Sequence, residues 1–94
     1  MRITFDPAKR QRTLEERGLD FADAALVFDG VHTVDPDDRR DYGEPRFISA
    51  GELRGRLVVI VWTPRGNARR IVSMRSCHAQ EAERWRAILA KLGS

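Results

Sequence analysis

An apolar run over residues 57–62 constrains the fold of this chain more than any other feature. It reads Leu-Val-Val-Ile-Val-Trp, so both faces of a strand formed by these residues would be apolar. Such a strand is typical of the centre of a sheet that has both faces covered. The run is far shorter than the ~20 apolar residues that a membrane-spanning helix needs. We therefore expect a central strand over residues 57–63 of a globular domain.

Shorter strand patterns lie before and after this run. They occupy residues 2–5, 31–34, 46–50 and 68–75. Residues 51–55 and 64–67 contain glycine or proline and predict the turns that join the last three strands as hairpins. Residues 35–43 are acidic and rich in turn-forming residues, so they predict a loop. Because hairpin-linked strands pair antiparallel, the sequence predicts an antiparallel sheet.

Two helices are predicted in the first third of the chain. Asp6 and Pro7 are typical of a helix start, and Gly18 of a helix end, so the first helix is expected over residues 7–17. Asp20 can cap a second helix, which is predicted to end at residue 30. The apolar stripe of that second helix consists of Phe21, Ala24, Ala25 and Phe28.

A third helix is predicted from about Ser76 or His78 to Gly93. Its apolar stripe consists of Ala82, Trp85, Leu89 and Leu92. The order of elements is thus β-α-α-β-β-β-β-α, which predicts an α+β fold with two N-terminal helices and one C-terminal helix around an antiparallel sheet. The 94 residues are enough for a single domain, 1–94, with its own core.

The charge is distributed unevenly along the chain. The total of +3 results from 17 basic and 14 acidic residues, but residues 1–53 carry −4 (8 basic, 12 acidic) and residues 54–94 carry +7 (9 basic, 2 acidic). Fifteen of the basic residues are arginine, whose planar fork of donors matches a phosphate or carboxylate. GC-rich coding accounts for most of the excess over lysine. The clustering in the second half predicts a polyanionic partner.

Three arginines are candidates for binding a phosphate at one site. Arg46 begins a predicted strand, Arg65 lies in the turn after the central strand, and Arg75 ends the last strand. In an antiparallel meander such positions can converge, and convergent arginines are what the transition state of a scissile phosphate requires. The alternative is that they are surface arginines paired with nearby glutamates.

Strand alternation predicts which side chains of residues 68–75 share a face. One face is expected to carry Arg69, Ile71, Ser73 and Arg75. The other is expected to carry Arg70, Val72 and Met74. Arg69 and Arg75 should therefore lie on one side of the sheet and Arg70 on the opposite side.

Other polar residues each allow two interpretations. Glu44 can act as a base toward a ribose 2′-hydroxyl or serve as a salt-bridge partner. Tyr42 can stack on a base or simply pack, and Lys9 can contact a phosphate or remain solvated. His78 lies near any site built at the end of the last strand, whereas His32, among apolar neighbours, is interpreted as structural.

Several classes of site find no support. Cys77 is the single cysteine, so no intrachain disulfide is expected, and no Cys/His spacing indicates zinc. A thiol near a helix start can be activated, but no oriented base for it is recognisable. No nucleotide-cofactor or metalloprotease motif occurs, so no cofactor or metal is expected. No apolar segment follows residues 1–6, so we expect no signal peptide and a cytoplasmic protein.

An ordered series of segments resembles the BrnT-type toxins of bacterial type II toxin–antitoxin systems. The segments are residues 5–9, 18–29, 41–47 with Gly51 and Gly55 after them, 63–65 and 70–75, followed by Glu81 and Trp85. The most characteristic are Thr-Pro-Arg at 63–65 and Arg-Ile-Val-Ser-Met-Arg at 70–75, which are similar to the Thr-x-Arg and Arg-Ile-Ile-Ser-x-Arg signature of that family. The resemblance extends over roughly residues 3–88.

The resemblance implies a RelE-like fold and a small ribonuclease that arrests growth by cleaving RNA. It also implies an antitoxin with a ribbon-helix-helix region, a toxin–antitoxin heterotetramer, and contact with operator DNA through the antitoxin alone.

The resemblance makes Glu44, Arg46, Arg65, Arg75 and Lys9 candidates for a site. Our hypothesis is a metal-independent endoribonuclease, because the nucleophile, a 2′-hydroxyl, belongs to the substrate. Glu44 is interpreted as the base, Arg46, Arg65 and Arg75 as stabilisers of the phosphate charge, and Lys9 or His78 as assisting binding or the leaving group. The candidate RNA-binding residues are Lys9, Arg69, Arg70, Tyr42 and His78.

The chain departs from the family pattern at two places. Thr13 and residues 16–18 stand where the family usually has Asn and Lys-His-Gly, and Ser76-Cys77 replaces Lys-Ala. These differences leave a second interpretation open. The chain would then be a catalytically weak or inactive interaction module that acts with its antitoxin in regulating their own operon.

Overall fold

The computed structural model describes residues 2–93, which form an α+β fold with one sheet and with helices at both ends. In chain order the elements are β1 (Arg2–Thr4), α1 (Pro7–Arg17), a 3-10 turn (Phe21–Asp23), α2 (Ala24–Asp29), β2 (Asp35–Pro36), β3 (Phe47–Leu53), β4 (Arg56–Arg65), β5 (Ala68–Ser76) and α3 (Ala79–Leu92). None of the helices in this part of the chain is long and apolar enough to cross a membrane.

β4 is the central strand of a five-stranded sheet with the order β1-β5-β4-β3-β2. Every residue from 57 to 63 is buried, which confirms the prediction of a central strand covered on both faces. The strands from β2 to β5 pair antiparallel, but β1 pairs parallel with β5. The sheet is therefore mixed, and the prediction of a purely antiparallel sheet is wrong at this edge. Hairpin signals report only on strands that are consecutive in the sequence, and β1 is not consecutive with β5.

β3 is longer than predicted because Gly51 lies within the strand and not in a turn. A Cβ atom at residue 51 would lie 2.6 Å from Cγ1 of Val27, so the close approach of α2 requires glycine here. The turn consists of Arg54 and Gly55, whose φ angles of 51° and 84° fit a two-residue type I′ hairpin. The turn predicted over residues 51–55 is therefore wrong in its first half.

The segment after α2 also differs from the prediction. The strand expected over residues 31–34 is reduced to a single bridge between His32 and Gly51. β2 follows instead, inside the segment predicted as a loop, where Asp35 pairs with Ile48. The apolar side chains that suggested a strand at 31–34 are about half exposed, so burial does not hold that segment against the sheet.

The predicted caps are present at the two N-terminal helices. Asp6 accepts a hydrogen bond from the Ala8 amide at 2.9 Å, and Gly18 ends α1 with a left-handed φ of 68°. Asp20 accepts a hydrogen bond from the Ala22 amide at 2.9 Å, but the turn that it caps is a 3-10 turn. The α-helical part of the second helix is therefore shorter than its apolar pattern indicates.

The two faces of the sheet are covered by different helices. The inner face packs against α2 and the 3-10 turn and holds the hydrophobic core. That core consists of Leu19, Phe21, Ala24, Val27, Leu53, Val58, Ile60, Trp62, Ile71 and Met74. The outer face is the opposite one, which carries Val59, Val61 and Thr63 of β4, and α3 lies over part of it. No residue of α3 is fully buried, so the outer face is only partly covered.

A β-bulge in β5 changes which side chains share a face. Val61 pairs with Ser73, but the next residue, Trp62, pairs with Ile71, so Val72 has no partner across the ladder. The alternation therefore shifts by one residue at this point. As a result, Ile71 and Met74 both enter the core on the inner face, although strict alternation would place them on opposite faces.

The bulge brings Arg70 and Arg75 to the outer face and leaves Arg69 on the inner face. Arg70 pairs with Thr63 and Arg75 pairs with Val59, both of which belong to the outer face. The prediction that Arg69 shares a face with Arg75, opposite Arg70, is therefore wrong. A period-two pattern cannot reveal a bulge that inserts an ordinary valine with no glycine beside it.

Candidate active site

One depression on the outer face gathers six of the nine residues that the sequence singles out. They are Lys9, Tyr42, Glu44, Arg46, Arg65 and Arg70, here named the Glu44 cluster. The depression has a volume of about 290 Å³. It lies where the end of β4 and the start of β5 meet the N-terminus of α1 and the loop before β3.

Glu44 bridges two arginines that come from different strands. Its Oε1 accepts a hydrogen bond from Nη2 of Arg65 at 3.0 Å, and its Oε2 lies 3.5 Å from Nε of Arg46. That Nε atom is buried and makes no hydrogen bond within residues 2–93. Glu44 therefore forms ion pairs with both arginines, and an anion bound by these arginines would lie beside its carboxylate.

Tyr42 supports Arg46 in this arrangement. The guanidinium carbon of Arg46 lies 4.0 Å from the centre of the tyrosine ring, and that of Arg40 lies 5.4 Å from it. The backbone beside the ring is fixed by Gly43, which has a φ of 71° and donates its amide hydrogen to Oδ1 of Asp41 at 2.9 Å. The ring of Tyr42 is thus in contact with arginines rather than free for a base.

Asp37 anchors the loop that carries Tyr42 and Glu44. Its side chain is completely buried and accepts hydrogen bonds from Nε and Nη2 of Arg39 at 2.7 and 2.8 Å. These bonds from Arg39 lower the pKa of Asp37 to about 2. The amide of Asp37 donates to the carbonyl of Arg46 at 2.8 Å, which closes the loop. Nothing in the acidic sequence pattern distinguishes this buried carboxylate from its exposed neighbours.

The Glu44 cluster carries an excess of positive charge. Four cationic side chains and two carboxylates, Asp6 and Glu44, line the depression, which leaves a formal charge of +2. Asp6 is engaged as the cap of α1. Lys9 and Arg70 form no ion pair with another residue of the described range, 2–93. Two cations are therefore available to a phosphate beside a carboxylate that can accept a proton.

Arg75 and His78 lie elsewhere on the outer face. Nη1 and Nη2 of Arg75 donate to the two carboxylate oxygens of Glu81 at 2.7 and 2.8 Å. This bidentate pair lowers the pKa of Glu81 to about 2. Nδ1 of His78 accepts a hydrogen bond from the amide of Glu81 at 3.4 Å and so caps α3. Neither residue lines the depression of the Glu44 cluster.

Arg69 is on the opposite side of the sheet from the Glu44 cluster. Its guanidinium carbon lies 4.0 Å from the ring centre of Phe28 and 4.8 Å from that of Trp62. Its Nε is buried without a hydrogen-bond partner in the described part of the chain, and burial lowers its pKa. The geometry is that of an arginine held by two aromatic rings.

A groove lined by Arg75, Glu81 and Trp85 lies beside α3, and a shallow depression joins it to the depression of the Glu44 cluster. The connecting depression shares Lys9 and Val72 with the depression of the cluster and shares Arg17 and Ser73 with the groove. The sequence interpretation missed three residues of this surface, namely Arg17, Arg39 and Trp85. Helix and core patterns explained them as an ordinary helix end, a loop residue and a core aromatic, so no signal for a site was available.

The surroundings of Cys77 and His32 indicate structural roles for both residues. Burial, followed by the nearby charge of Glu81, raises the pKa of the Cys77 thiol to about 11, so the thiol is protonated at neutral pH. The ring of His32 packs edge-on against Phe28, and its Nδ1 lies 2.9 Å from the carbonyl of Gly30. Within residues 2–93 no group of three or more His, Cys, Asp or Glu side chains is placed to hold a metal ion.

A comparison with protein families identifies the family to which this chain is related. The family model described as the ribonuclease toxin BrnT of type II toxin–antitoxin systems matches residues 5–81. The chain belongs to the BrnT family. No curated protein sequence matches it. The BrnT match includes all six members of the Glu44 cluster and ends early in α3, so Trp85 lies beyond it.

The BrnT family assignment carries a general function. BrnT proteins are ribonuclease toxins of type II toxin–antitoxin systems, which implies RNA cleavage and an antitoxin partner in general terms. The resemblance inferred from the sequence segments is therefore confirmed.

Proposed function

We propose that this BrnT family member is an endoribonuclease toxin that cleaves RNA at the Glu44 cluster without a metal ion. The observation that carries the proposal is one carboxylate bridging Arg46 and Arg65 in a depression that also contains Lys9 and Arg70. An RNA strand brings its own nucleophile, the 2′-hydroxyl. The site therefore has to supply a base, an acid and positive charge, all of which these side chains can provide.

Each group has a defined role in the proposed reaction. Glu44 takes the proton of the 2′-hydroxyl as the 2′-oxygen attacks the adjacent phosphorus. The bond from phosphorus to the 5′-oxygen breaks, and that oxygen accepts a proton from Lys9. The products are a 2′,3′-cyclic phosphate and a 5′-hydroxyl. Arg46 and Arg65 stabilise the negative charge that grows on the non-bridging oxygens.

The ion pairs of the unliganded site do not prevent phosphate binding. The side chain of Arg65 is 55% exposed, and an exposed ion pair contributes only about 0–1 kcal/mol. A charge-assisted hydrogen bond to a phosphate contributes about 1.5–3 kcal/mol. A phosphate can therefore replace Glu44 as the acceptor for Arg65, which leaves a carboxylate oxygen available as the base. Arg75 would first have to leave Glu81 in order to reach a phosphate.

The proposal includes a protein partner and a cellular setting. Membership in the BrnT family supports an antitoxin as the protein partner. We assign to this antitoxin a ribbon-helix-helix region, a heterotetrameric complex with the toxin, and contact with operator DNA. An acidic antitoxin segment bound to the outer-face arginines would exclude RNA. The mixed sheet between N-terminal helices and α3 supports a RelE-like fold. An RNA target supports a cytoplasmic location.

Two linked experiments test the ribonuclease proposal. Expression of the chain alone in a bacterial host should arrest growth and degrade RNA, and the purified, antitoxin-free protein should cleave RNA equally with and without EDTA. Glu44→Gln and Arg65→Ala should relieve the growth arrest and strongly reduce cleavage. Arg54→Ala is the matched control, because Arg54 forms its exposed ion pair with Asp23, away from the cluster. Normal growth and intact RNA in the presence of folded protein would contradict the proposal.

A second candidate function is supported by the state of the arginines. Arg46 and Arg65 are paired with Glu44, and Arg75 is paired with Glu81, so each candidate catalytic arginine already has a carboxylate partner. A surface in this state fits an interaction module that is weak or inactive as an enzyme. In that case the purified protein leaves RNA intact, while its complex with the antitoxin still binds operator DNA.

A further inference from the structure

A groove beside α3 on the outer face is not used by the proposed cleavage reaction. Its volume is about 400 Å³, larger than that of the Glu44 cluster. Its floor is apolar and is formed by Ile48, Val59 and Val61 of β3 and β4. The half-buried Trp85 of α3 lines it, and no aromatic ring or hydrogen-bond partner within residues 2–93 contacts the indole.

Three arginines and one glutamate give the rim of this groove a positive charge. Arg39 is 67% exposed and uses two of its five N–H donors on Asp37. One nitrogen of Arg17 donates to the carbonyl of Met74 at 2.9 Å, which leaves its other donors available. The third arginine, at position 75, is neutralised by the glutamate at position 81. Arg39 is likewise paired with Asp37, so the groove presents the charge of Arg17, unpaired within residues 2–93, and the remaining N–H donors of Arg39 beside an apolar floor.

We propose that this groove binds a nucleotide of the RNA strand adjacent to the cleaved one, with its base stacked on Trp85 and its phosphate held by Arg17 and Arg39. The inference rests on the proposed ribonuclease function, because it assigns a second subsite to the same strand. An aromatic side chain beside a cationic track is the arrangement that binds single-stranded nucleic acid without reading its sequence.

Continuity with the Glu44 cluster favours RNA over an acidic protein segment. The shallow depression lined by Lys9, Arg12 and Arg17 leads from the cluster to the groove along one face of the sheet. Only one glutamate, Glu16, lines this connecting depression, so a chain of phosphates can follow it. An acidic peptide would meet the same cations, but it would stack on Trp85 only where it carries an aromatic residue, whereas every nucleotide carries a base.

Binding and fluorescence of the full chain test this subsite. The probe is a labelled mixed-sequence RNA of about 12 nucleotides, within the usual length of single-strand sites. The host is the Glu44→Gln protein, so that the probe stays intact. Binding should quench the fluorescence of Trp85. Trp85→Leu, which keeps an apolar contact with the floor but removes the stacking surface, should weaken binding by about 5- to 100-fold.

Two companion variants separate stacking from folding. Trp85→Phe retains a ring, so it should weaken binding much less than Trp85→Leu, and it should abolish the quenching because the buried Trp62 does not respond. Leu26→Ala, at an exposed apolar residue of α2 on the other side of the sheet, is the matched control and should bind as tightly as its parent. Thermal unfolding confirms that α3 is intact in each variant.

The outcomes distinguish this inference from the ribonuclease proposal. RNA binding with quenching that depends on Trp85, in a protein that cleaves nothing, would support the subsite and contradict the cleavage reaction. Cleavage with no quenching and equal binding by Trp85→Leu would overturn the subsite and leave the reaction intact. Loss of antitoxin affinity alone in Trp85→Leu, with RNA binding unchanged, would assign the groove to the protein partner and also overturn the inference.

Discussion

Glu44 and Arg65 are 21 residues apart in the sequence, yet Nη2 of Arg65 donates a hydrogen bond to Oε1 of Glu44 at 3.0 Å. Because the pair is exposed, we expect it to matter little for folding and much for catalysis. In a double-mutant cycle of Glu44→Gln and Arg65→Ala, the coupling free energy of unfolding should be below about 1 kcal/mol. Cleavage by Arg65→Ala should fall by about 10²–10³-fold, the usual loss for one group that stabilises transition-state charge.

Urea unfolding and single-turnover cleavage of the same preparations provide the two readouts for this cycle. The two measurements have to be made on each single variant and on the double variant. If the loss of cleavage instead followed a loss of several kcal/mol of stability, the pair would be structural and the catalytic assignment would be wrong.

Acid should destabilise the protein through Asp37 and Glu81. The pKa of each is lowered to about 2 by its bidentate arginine partner. A carboxyl group with a depressed pKa in the folded state stabilises the protein above its unfolded pKa, near 4, and this contribution is lost as the pH falls toward 2. The urea midpoint should therefore decrease between about pH 4 and pH 2.

The variants Asp37→Asn and Glu81→Gln should each be less stable at neutral pH and should show a smaller decrease on acidification. Asp37→Asn should also reduce cleavage, since the buried carboxylate of Asp37 and its bonds to Arg39 anchor the loop that carries Glu44. An acid transition that is unchanged in both variants would show that other carboxyl groups dominate it.

Cys77 should be unreactive and dispensable. Burial raises the pKa of its thiol to about 11, so only a very small fraction is thiolate at pH 8. Alkylation by iodoacetamide should be much slower in the folded protein than in urea, and Cys77→Ser should cleave RNA as the parent does. Rapid alkylation of the folded protein together with loss of cleavage would instead restore the thiol as a candidate nucleophile.

Local sequence signals predict local structure well in this chain. Asp6 and Gly18 bound α1 as expected, because a cap and a left-handed glycine act within one turn of helix. The apolar run of β4 likewise predicts its central place, because burial on both faces leaves no polar alternative.

Features that depend on contacts between residues far apart in the chain are not predicted by local sequence patterns. The bulge at Val72 depends on how β5 meets β4 and redirects the arginines that flank it. The burial of Asp37 depends on Arg39 and on the closing of a loop, and β1 joins the sheet beside a strand more than 60 residues away. The candidate site was therefore predicted in its residue types, while the division into a cluster, a groove and an inner-face arginine was not.

Arg69 and Arg70 are neighbours in the sequence that lie on opposite faces of the sheet, and their variants should behave differently. Arg69→Ala removes the contacts with Phe28 and Trp62, so it should lower the stability by about 1 kcal/mol. When Arg69→Ala is introduced into the Glu44→Gln protein, the affinity for RNA should stay unchanged. Arg70→Ala removes the same charge from the Glu44 cluster, so it should weaken RNA binding with little effect on stability.

The salt dependence of binding makes this comparison quantitative. Each phosphate contact on a single strand contributes about −0.7 to the slope of log K against log salt concentration. Anisotropy titrations at several salt concentrations should therefore show a slope that is shallower by about 0.7 for Arg70→Ala and the parental slope for Arg69→Ala. The two variants have the same net charge, so a general electrostatic effect would reduce both slopes equally. Equal reduction would mean that RNA also contacts the inner face, and the assignment of the outer face as the RNA surface would then be wrong.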